Sequence, residues 1–192
     1  MVLEPLADAH AEALFAAAED PEMFRYLSER LASLDDHRAY VRRALDERDA
    51  GRAIPFAIRL RDDGAVVGST RFAAFDAAHR RAEIGWTWIA RRVQRTSVNT
   101  ECKRLLLGHA FDALHLNRVE FKTDALNQVS RTAIARLGAT QEGIFRRHMV
   151  MPDGRVRDTV WFSIVSQEWP AVREALDRKL AVPLSTSTAV PA

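Results

Sequence analysis

The feature that most constrains the fold is a change of hydrophobic period in the middle of the chain. Two alternating runs surround Asp63-Gly64, and residues 140–165 repeat that pattern around Asp153-Gly154. An Asp-Gly pair between alternating runs is a β-hairpin signal. Between these hairpins, RAEIGWTWIA and RVEFKTDA each favour a strand, and the apolar residues of 98–114 recur at helical spacing. The order strand, helix, strand predicts one parallel crossover between two antiparallel hairpins.

Helical patterns flank this centre. Residues 8–20 carry Ala and Leu at helical spacing, and Ser33 begins a capped helix that stops at Gly51. A short helix closed by Gly138 and a last helix in EWPAVREALDRKL follow. The chain therefore predicts an α/β (α+β) domain at residues 1–180, with a mixed, mainly antiparallel sheet flanked by helices and one central βαβ unit. Residues 181–192, rich in Pro, Ser, Thr and Ala, are expected to be a disordered tail.

Composition narrows the functional classes. Of 192 residues, 47% are hydrophobic and 28% charged, which is ordinary for a globular domain. One cysteine, Cys102, excludes an internal disulfide, and neither a signal peptide nor a membrane-length apolar run is present. We therefore expect a cytoplasmic protein with no membrane partner. The formal charge of +2 does not call for a nucleic-acid partner, and the six histidines show no metal-ligand spacing, so no metal is expected.

The turn between the middle strand and helix is basic. WIARRVQRTSVNTE places Arg91, Arg92 and Arg95 before a helix N-terminus and contains no glycine. Unpaired backbone N–H groups and the helix dipole attract anions there, and guanidinium groups add bidentate donors. A phosphate or pyrophosphate site can be built in this way without glycine. The alternative is a helix capped by Thr96 or Ser97 beside solvated arginines.

Three stretches together resemble the GCN5-related N-acetyltransferases. They are EIGWTWIARRVQRTSVNTECKRLLLGHAF, NRVEFKTDALNQVSRTAIARLGATQEGIFRRHM and DGRVRDTVWFSIV. The resemblance is closest to the RimJ/RimL-like branch, which acetylates ribosomal-protein N-termini and related amines, and it spans residues 2–175 by element order. The resemblance implies the GNAT fold, acetyl-CoA as the cosubstrate and an amine as the acceptor. Because members of this family often dimerise, it also implies a possible homodimer.

The resemblance also assigns cofactor-binding residues. The pantetheine arm is expected to pair with the open strand edge near Trp88 and Ile89, and the pyrophosphate to lie on the following turn. The turn consists of Gln94, Arg95, Thr96, Ser97, Val98 and Asn99. Arg95 and Ser97 stand where the family usually has small residues. Asn127, at the start of the next helix, matches the asparagine that contacts the pantetheine, although it is also a good helix N-cap.

Two residues are the candidates for catalysis. Glu83 is the candidate base, either directly or through water; the alternative is a surface carboxylate paired with Arg81 or Arg71. Ser130 matches a serine implied to protonate the leaving thiolate; the alternative is an exposed helix hydroxyl. The family's usual tyrosine acid is excluded, because Tyr26 and Tyr40 are the only tyrosines.

Strict alternation also predicts which strand residues share a face. Ile84, Trp86 and Trp88 would lie on one face of the sheet, and Glu83, Gly85 and Thr87 on the other.

The resulting hypothesis is transfer of acetyl from acetyl-CoA to a primary amine by direct attack in a ternary complex. The acceptor, either a protein N-terminus or a small-molecule amine, is expected to enter between residues 24–40 and the hairpin at 148–158. Two alternatives stay open: a non-catalytic acyl-CoA sensor of the same fold, and an RNA- or ribosome-binding protein that uses the arginine clusters.

Overall fold

A single mixed sheet organises the molecule. The computed structural model describes residues 1–29 and 31–181, and the strands within them form one sheet in the order β1-β2-β3-β4-β5-β7-β6. All neighbours are antiparallel except β4 and β5, which run parallel across the predicted crossover. The strands are β1 Val2–Pro5, β2 Ala53–Arg59, β3 Val66–Asp76, β4 Arg81–Ile89, β5 Arg118–Asp124, β6 Thr140–Val150 and β7 Val156–Val165.

Helices cover both faces of the sheet. Tyr40 of α2 donates to Ser69 of β3, whereas Lys103 of α3 contacts the neighbouring Thr70. Because successive strand residues point to opposite faces, α2 and α3 lie on opposite sides. Trp169 of α5 stacks on the end of the α3 segment, so α5 shares the α3 side. The helices are α1 Ala11–Ala17, α2 Leu34–Asp49, α3 Val98–Gly108, α4 Gln128–Ala135 and α5 Trp169–Ala181.

Local signals in the sequence explain the element boundaries. Ser33 caps α2 through the N–H of Asp36, whose carboxylate accepts from the N–H of Ser33, which is a complete capping box. Gly64 and Gly154 turn the two hairpins at φ 69° and 83°. The predicted helix at 98–114 is confirmed as α3 followed by a π-helical turn, His109–Ala113.

Two boundaries differ from the expectation. The edge strand β1 is absent from the prediction, because four residues ending in proline carry too little alternation to be recognised. Ala181, assigned to the tail, ends α5, and the rest of the predicted tail lies outside the described residues.

The predicted alternation along β4 is wrong at a bulge. Trp86 has φ +50°, and the β3 register moves from Ser69–Trp88 to Arg71–Gly85, so β4 has one extra residue here. Thr87 therefore shares a hydrogen bond with Thr70 on the α3 side. Trp86 and Trp88 stay on the α2 side, against Arg71 and Phe24 respectively.

As a consequence, Glu83 and Gly85 lie on the same face as the two tryptophans, not opposite them. The Oε1 atom of Glu83 comes within 3.0 Å of the position that a Cβ on Gly85 would take.

Candidate functional site

The two parallel strands separate after three paired positions. β4 and β5 are matched from Arg81–Arg118 to Glu83–Glu120 and have no pairing beyond. From Ile84 onward the edge of β4 that faces β5 therefore carries main-chain N–H and C=O groups free of that strand. Such an edge can pair with an extended ligand in the way that a further strand would. Trp88 and Ile89 lie on this segment, Trp88 with its ring buried against Phe24.

The turn after β4 takes the conformation that glycine usually supplies. Arg95 has φ +61°, in the left-handed region that costs a side-chain-bearing residue energy. Thr96 fixes the turn, because its Oγ1 donates to the Val93 carbonyl at 2.6 Å and accepts from the Val98 N–H at 3.3 Å. Ser97 is the N-cap of α3 by position but makes no side-chain cap. Of the two predicted caps, Thr96 is the one that forms.

Unpaired donors surround this turn. In the described part of the chain, the N–H groups of Ser97, Asn99 and Thr100 have no hydrogen-bond partner. The side chains of Arg92 and Arg95 are exposed, and Arg91 is paired with Asp20. Gln94 instead donates its side-chain amide to the Ile89 carbonyl, holding the turn to the end of β4. The turn thus combines free amide donors with two uncommitted guanidinium groups, a set of groups that suits a phosphate.

Glu83 lies at the last paired position before the strands separate. It is only 6% exposed and forms a salt bridge to Lys122 of β5 at 2.7 Å. The alternative of a surface carboxylate paired with Arg81 or Arg71 is wrong, since Arg81 pairs with Asp76 and Glu120. No pattern marks Lys122 as the partner, because the contact depends on the parallel register of β4 and β5.

Asn127 and Ser130 lie beyond the end of β5. The Oδ1 of Asn127 accepts from the Ser130 N–H at 3.0 Å, which confirms the predicted N-cap of α4. Both residues are half-buried, and among the described residues neither the Asn127 amide N–H₂ nor the Ser130 hydroxyl has a partner. These groups are free to meet a ligand between the strands, so the cap and the cofactor role remain compatible.

One wall of the predicted acceptor entrance, the β6–β7 hairpin, is tied to the sheet. Arg155, in the β6–β7 hairpin, binds the buried carboxylate of Asp124 at 2.6 Å. The pKa of the Arg155 guanidinium is raised, mainly by that hydrogen bond and in smaller part by Tyr26 of the segment between α1 and α2. Two surface depressions of about 450 and 530 Å³ lie elsewhere, on the outer side of α1 and α2 and along α5.

A buried lysine was missed by the sequence reasoning. Lys103 of α3 donates to Thr87 at 2.5 Å and has no carboxylate partner among the described residues, and burial lowers its pKa. Its position four residues before the buried Leu107 is the signal that could have revealed it. Cys102 beside it is buried as expected, and burial raises the pKa of its thiol. No cluster of three or more metal-ligating side chains occurs in residues 1–29 and 31–181.

Comparison with known proteins agrees with this geometry. A family model described as an acetyltransferase (GNAT) domain matches residues 1–140. The uncharacterized N-acetyltransferase YoaA of Bacillus subtilis is 29% identical over 166 residues, covering 86% of this chain and 93% of YoaA.

Solved structures give the same result. A GCN5-related N-acetyltransferase from Brucella melitensis superposes with a TM-score of 0.86 at 34% identity, covering 93% of this chain and 81% of that one. Mycobacterium smegmatis RimJ, solved in complex with CoA-disulfide, has a TM-score of 0.77 at 25% identity and covers 92% and 88%. The predicted fold and the resemblance to the RimJ/RimL-like branch are confirmed. Among the helices of the described residues, none has the length and apolarity needed to span a bilayer.

Proposed function

The chain belongs to the GNAT acetyltransferase family, and we propose from this premise that it transfers acetyl from acetyl-CoA to a primary amine. The amine would attack the thioester directly while both substrates are bound, without a covalent enzyme intermediate. The single observation that carries the proposal is the separation of β4 and β5 after Glu83, with a donor-rich turn at the end of β4.

The residues at this opening fit the cofactor. The edge of β4 near Trp88 and Ile89 is free of β5 and can pair with an extended pantetheine arm, with the Ile89 carbonyl already accepting from the Gln94 side chain. The turn from Gln94 to Asn99 offers amide N–H groups and the Arg95 guanidinium to the pyrophosphate. The left-handed backbone of Arg95 supports this assignment, because it reproduces the shape of a glycine turn and adds a positive charge. Across the opening, the free amide N–H₂ of Asn127 can donate to the pantetheine.

Acetyl-CoA supplies the acetyl group already activated as a thioester. The protein then has to hold the amine, remove its proton and assist the leaving sulfur. Glu83 accepts the amine proton, directly or through a water, as the N–C bond forms and the C–S bond breaks. Ser130 donates its hydroxyl proton to the departing thiolate as the C–S bond breaks and takes a proton back from the solvent, and Glu83 then releases the amine proton to the solvent. The salt bridge to Lys122 fixes the Glu83 carboxylate at the mouth of the opening.

The first experiment is calorimetric titration with acetyl-CoA and with CoA. The wild-type protein is compared with Arg95→Glu and with the control Arg42→Glu, a charge reversal in an exposed pair with Asp8 on the outer side of α2. We expect micromolar binding to wild type and Arg42→Glu. Arg95→Glu should weaken binding about tenfold or more, which corresponds to about 1.4 kcal/mol, because a carboxylate in the turn repels the pyrophosphate that the guanidinium attracts.

Thiol release with a panel of primary amines follows on the same proteins. Turnover of acetyl-CoA by an amine supports the transferase. Binding without turnover would favour the acyl-CoA sensor, and Glu83→Ala and Ser130→Ala would then change nothing. Absence of binding to either nucleotide would mean that the turn only caps α3.

A further inference from the structure

Arg71 is a buried guanidinium that has no hydrogen-bond partner among residues 1–29 and 31–181. It lies in the middle of β3, is 4% exposed, and sits between the rings of Tyr40 and Trp86 at 5.0 and 4.8 Å. The two rings cover its faces and stabilise the charge by cation–π contact. Its Nε and Nη2 atoms are buried and unpartnered. Stacking does not satisfy these in-plane N–H groups, and unpaired buried donors of a charged group are costly.

The unpartnered atoms are those that bind carboxylates elsewhere in this protein. Nε and Nη2 form one edge of the guanidinium, and two parallel N–H donors match the two oxygens of a carboxylate. The same pair of nitrogens binds a single carboxylate group in Arg38, Arg43, Arg52, Arg81 and Arg104. Arg71 therefore presents a carboxylate-binding edge whose carboxylate is missing.

No acid of the described chain takes that place. Glu47 is near enough for Arg71 to contribute to the lowering of its pKa, but the first cause is Arg52, which holds both Glu47 oxygens. Glu83 is paired with Lys122 instead. The missing partner is therefore external to the described residues.

The position of Arg71 links it to the proposed transfer site. Its register partner across the sheet is Gly85, and the Glu83 carboxylate reaches toward that same glycine from the same face. Arg71 and Glu83 thus flank Gly85 at the bulge of β4. A small acceptor can present its amine to Glu83 while its carboxylate reaches Arg71.

The charges on this face favour an anionic acceptor. Arg157 is a second buried cation, 7% exposed, bonded through Nε only to the hydroxyl of Thr159. The acids nearby are already neutralised, Glu83 by Lys122 and Asp124 by Arg155. Arg71 and Arg157 remain as uncompensated positive charges. A polyamine would be repelled here, whereas a carboxylate would be attracted.

We propose that the acceptor is an amine with a carboxylate close by, held bidentately by the Nε and Nη2 atoms of Arg71. This rests on the proposed function and specifies its substrate class. Of the two rings on the guanidinium, Tyr40 is fully buried and Trp86 is half-exposed on the bulge. The Nε and Nη2 edge is buried, so a carboxylate reaches it only with a local movement, and Trp86 is the less buried of the two rings that stack on the guanidinium. A free α-amino acid and a peptide with an acidic first or second residue both carry this chemistry.

The test compares matched pairs of ligands. Thiol release is measured with the twenty amino acids and their carboxamides, and with short peptides that have Asp or Asn near the N-terminus. Wild type is compared with Arg71→Met, which keeps the unbranched stem and removes the charge. In wild type the best carboxylate should exceed its amide at least tenfold in kcat/KM, and in Arg71→Met that ratio should fall to near one. The peptide pairs show which of the two sources is used.

A second measurement does not depend on turnover. Calorimetry with N-acetyl-amino acids and their amides, without CoA, should show preferential binding of the carboxylate to wild type and loss of that preference in Arg71→Met. Acetyl-CoA affinity should be equal in the two proteins, which separates this site from the cofactor site. Equal use of carboxylate and amide in both measurements, preference for spermidine, or a preference that survives Arg71→Met overturns the proposal. If acetyl-CoA fails to bind while the carboxylate preference holds, only the transferase function fails.

Discussion

At the scale of single residues, Arg95 combines a left-handed backbone, which a glycine usually supplies, with a basic side chain in the turn that we propose binds the pyrophosphate. Its φ of +61° costs about 1–2 kcal/mol relative to an ordinary backbone. The Arg95→Gly variant should therefore unfold at a higher urea concentration than wild type. We expect its free energy of unfolding to rise by about 0.5–1 kcal/mol, after the extra conformational entropy of glycine in the unfolded chain is subtracted. Arg92→Gly, three residues earlier and without positive φ, is the control and should lose stability. Destabilisation of both variants by the same amount would show that Arg95 carries no strain.

Glu83 tests the proposed chemistry at one carboxylate. We expect Glu83→Gln to lower kcat about 10²–10³-fold, the usual contribution of a general base, with acetyl-CoA affinity unchanged. Glu120→Gln is a matched control, because Glu120 is equally buried, is ion-paired with Arg81 and Arg118, and lies opposite Glu83 on β5. Stopped-flow and steady-state thiol assays on both variants measure the difference. Equal losses of kcat would assign Glu83 a structural role only.

At the scale of elements, the pairing of β3 with β4 positions the cofactor edge. A Cβ on Gly68 would lie 2.1 Å from the Trp88 carbonyl oxygen, so only glycine allows this approach of the two backbones. We expect Gly68→Ala to cost more than about 2 kcal/mol of unfolding free energy and to weaken acetyl-CoA binding. Gly143→Ala in β6, where a Cβ meets nothing within 4 Å, should be close to neutral. Urea unfolding and calorimetry on the pair measure both effects.

The elements also show what can be read from the sequence. The hairpins at Gly64 and Gly154 and the Ser33 cap were predicted because each depends on a few adjacent residues. The bulge at Trp86 was not predicted. One extra residue in a strand leaves the alternation on each side of it intact and only moves the following side chains to the opposite face of the sheet. Trp86 is neither glycine nor asparagine, so its positive φ has no local signal.

Partners distant in the chain were missed for a related reason. The salt bridge of Glu83 and the unpartnered edge of Arg71 follow from the registers of β4 with β5 and of β3 with β4. Sequence reasoning proposed the cofactor turn because its residues are contiguous. It placed the acceptor between residues 24–40 and the hairpin at 148–158 but did not single out Arg71, because the residues proposed above for the acceptor come from three strands and α2.

At the scale of the whole molecule, the two faces of the sheet differ in the roles that we propose for them. The α3 side holds the turn that begins at the end of β4 and contains the buried Lys103 and Cys102. The α2 side holds the Arg71 and Glu83 pair proposed for the acceptor. The near-zero net charge conceals this local excess of positive charge, so bulk composition could not indicate the class of acceptor.

The packing of α2 onto the sheet makes stability depend on pH. His37 is fully buried among Phe15, Phe24 and Trp88. Its Nδ1 bonds the Ser33 carbonyl, and its Nε2 has no partner in the part of the chain that the structure describes. Burial lowers the pKa of His37 below its ordinary value of 6.5, against smaller opposing effects of the Ser33 hydrogen bond and Asp36. The unfolded chain therefore binds more protons than the folded chain just below pH 6.5. The contribution of the neutral, buried His37 to the free energy of unfolding is complete above pH 6.5. It is lost as the pH falls toward the pKa of His37 in the folded protein.

The slope of this loss is at most about 1.4 kcal/mol per pH unit, the value for one proton. Urea unfolding from pH ~7.5 down to ~5 measures this slope. In His37→Gln the loss of unfolding free energy over this range should be smaller than in wild type by the contribution of His37. His148→Gln is the control, because His148 lies exposed on β6 and its removal leaves the wild-type slope. A His37→Gln protein with an unchanged slope would show that another buried group takes up the proton.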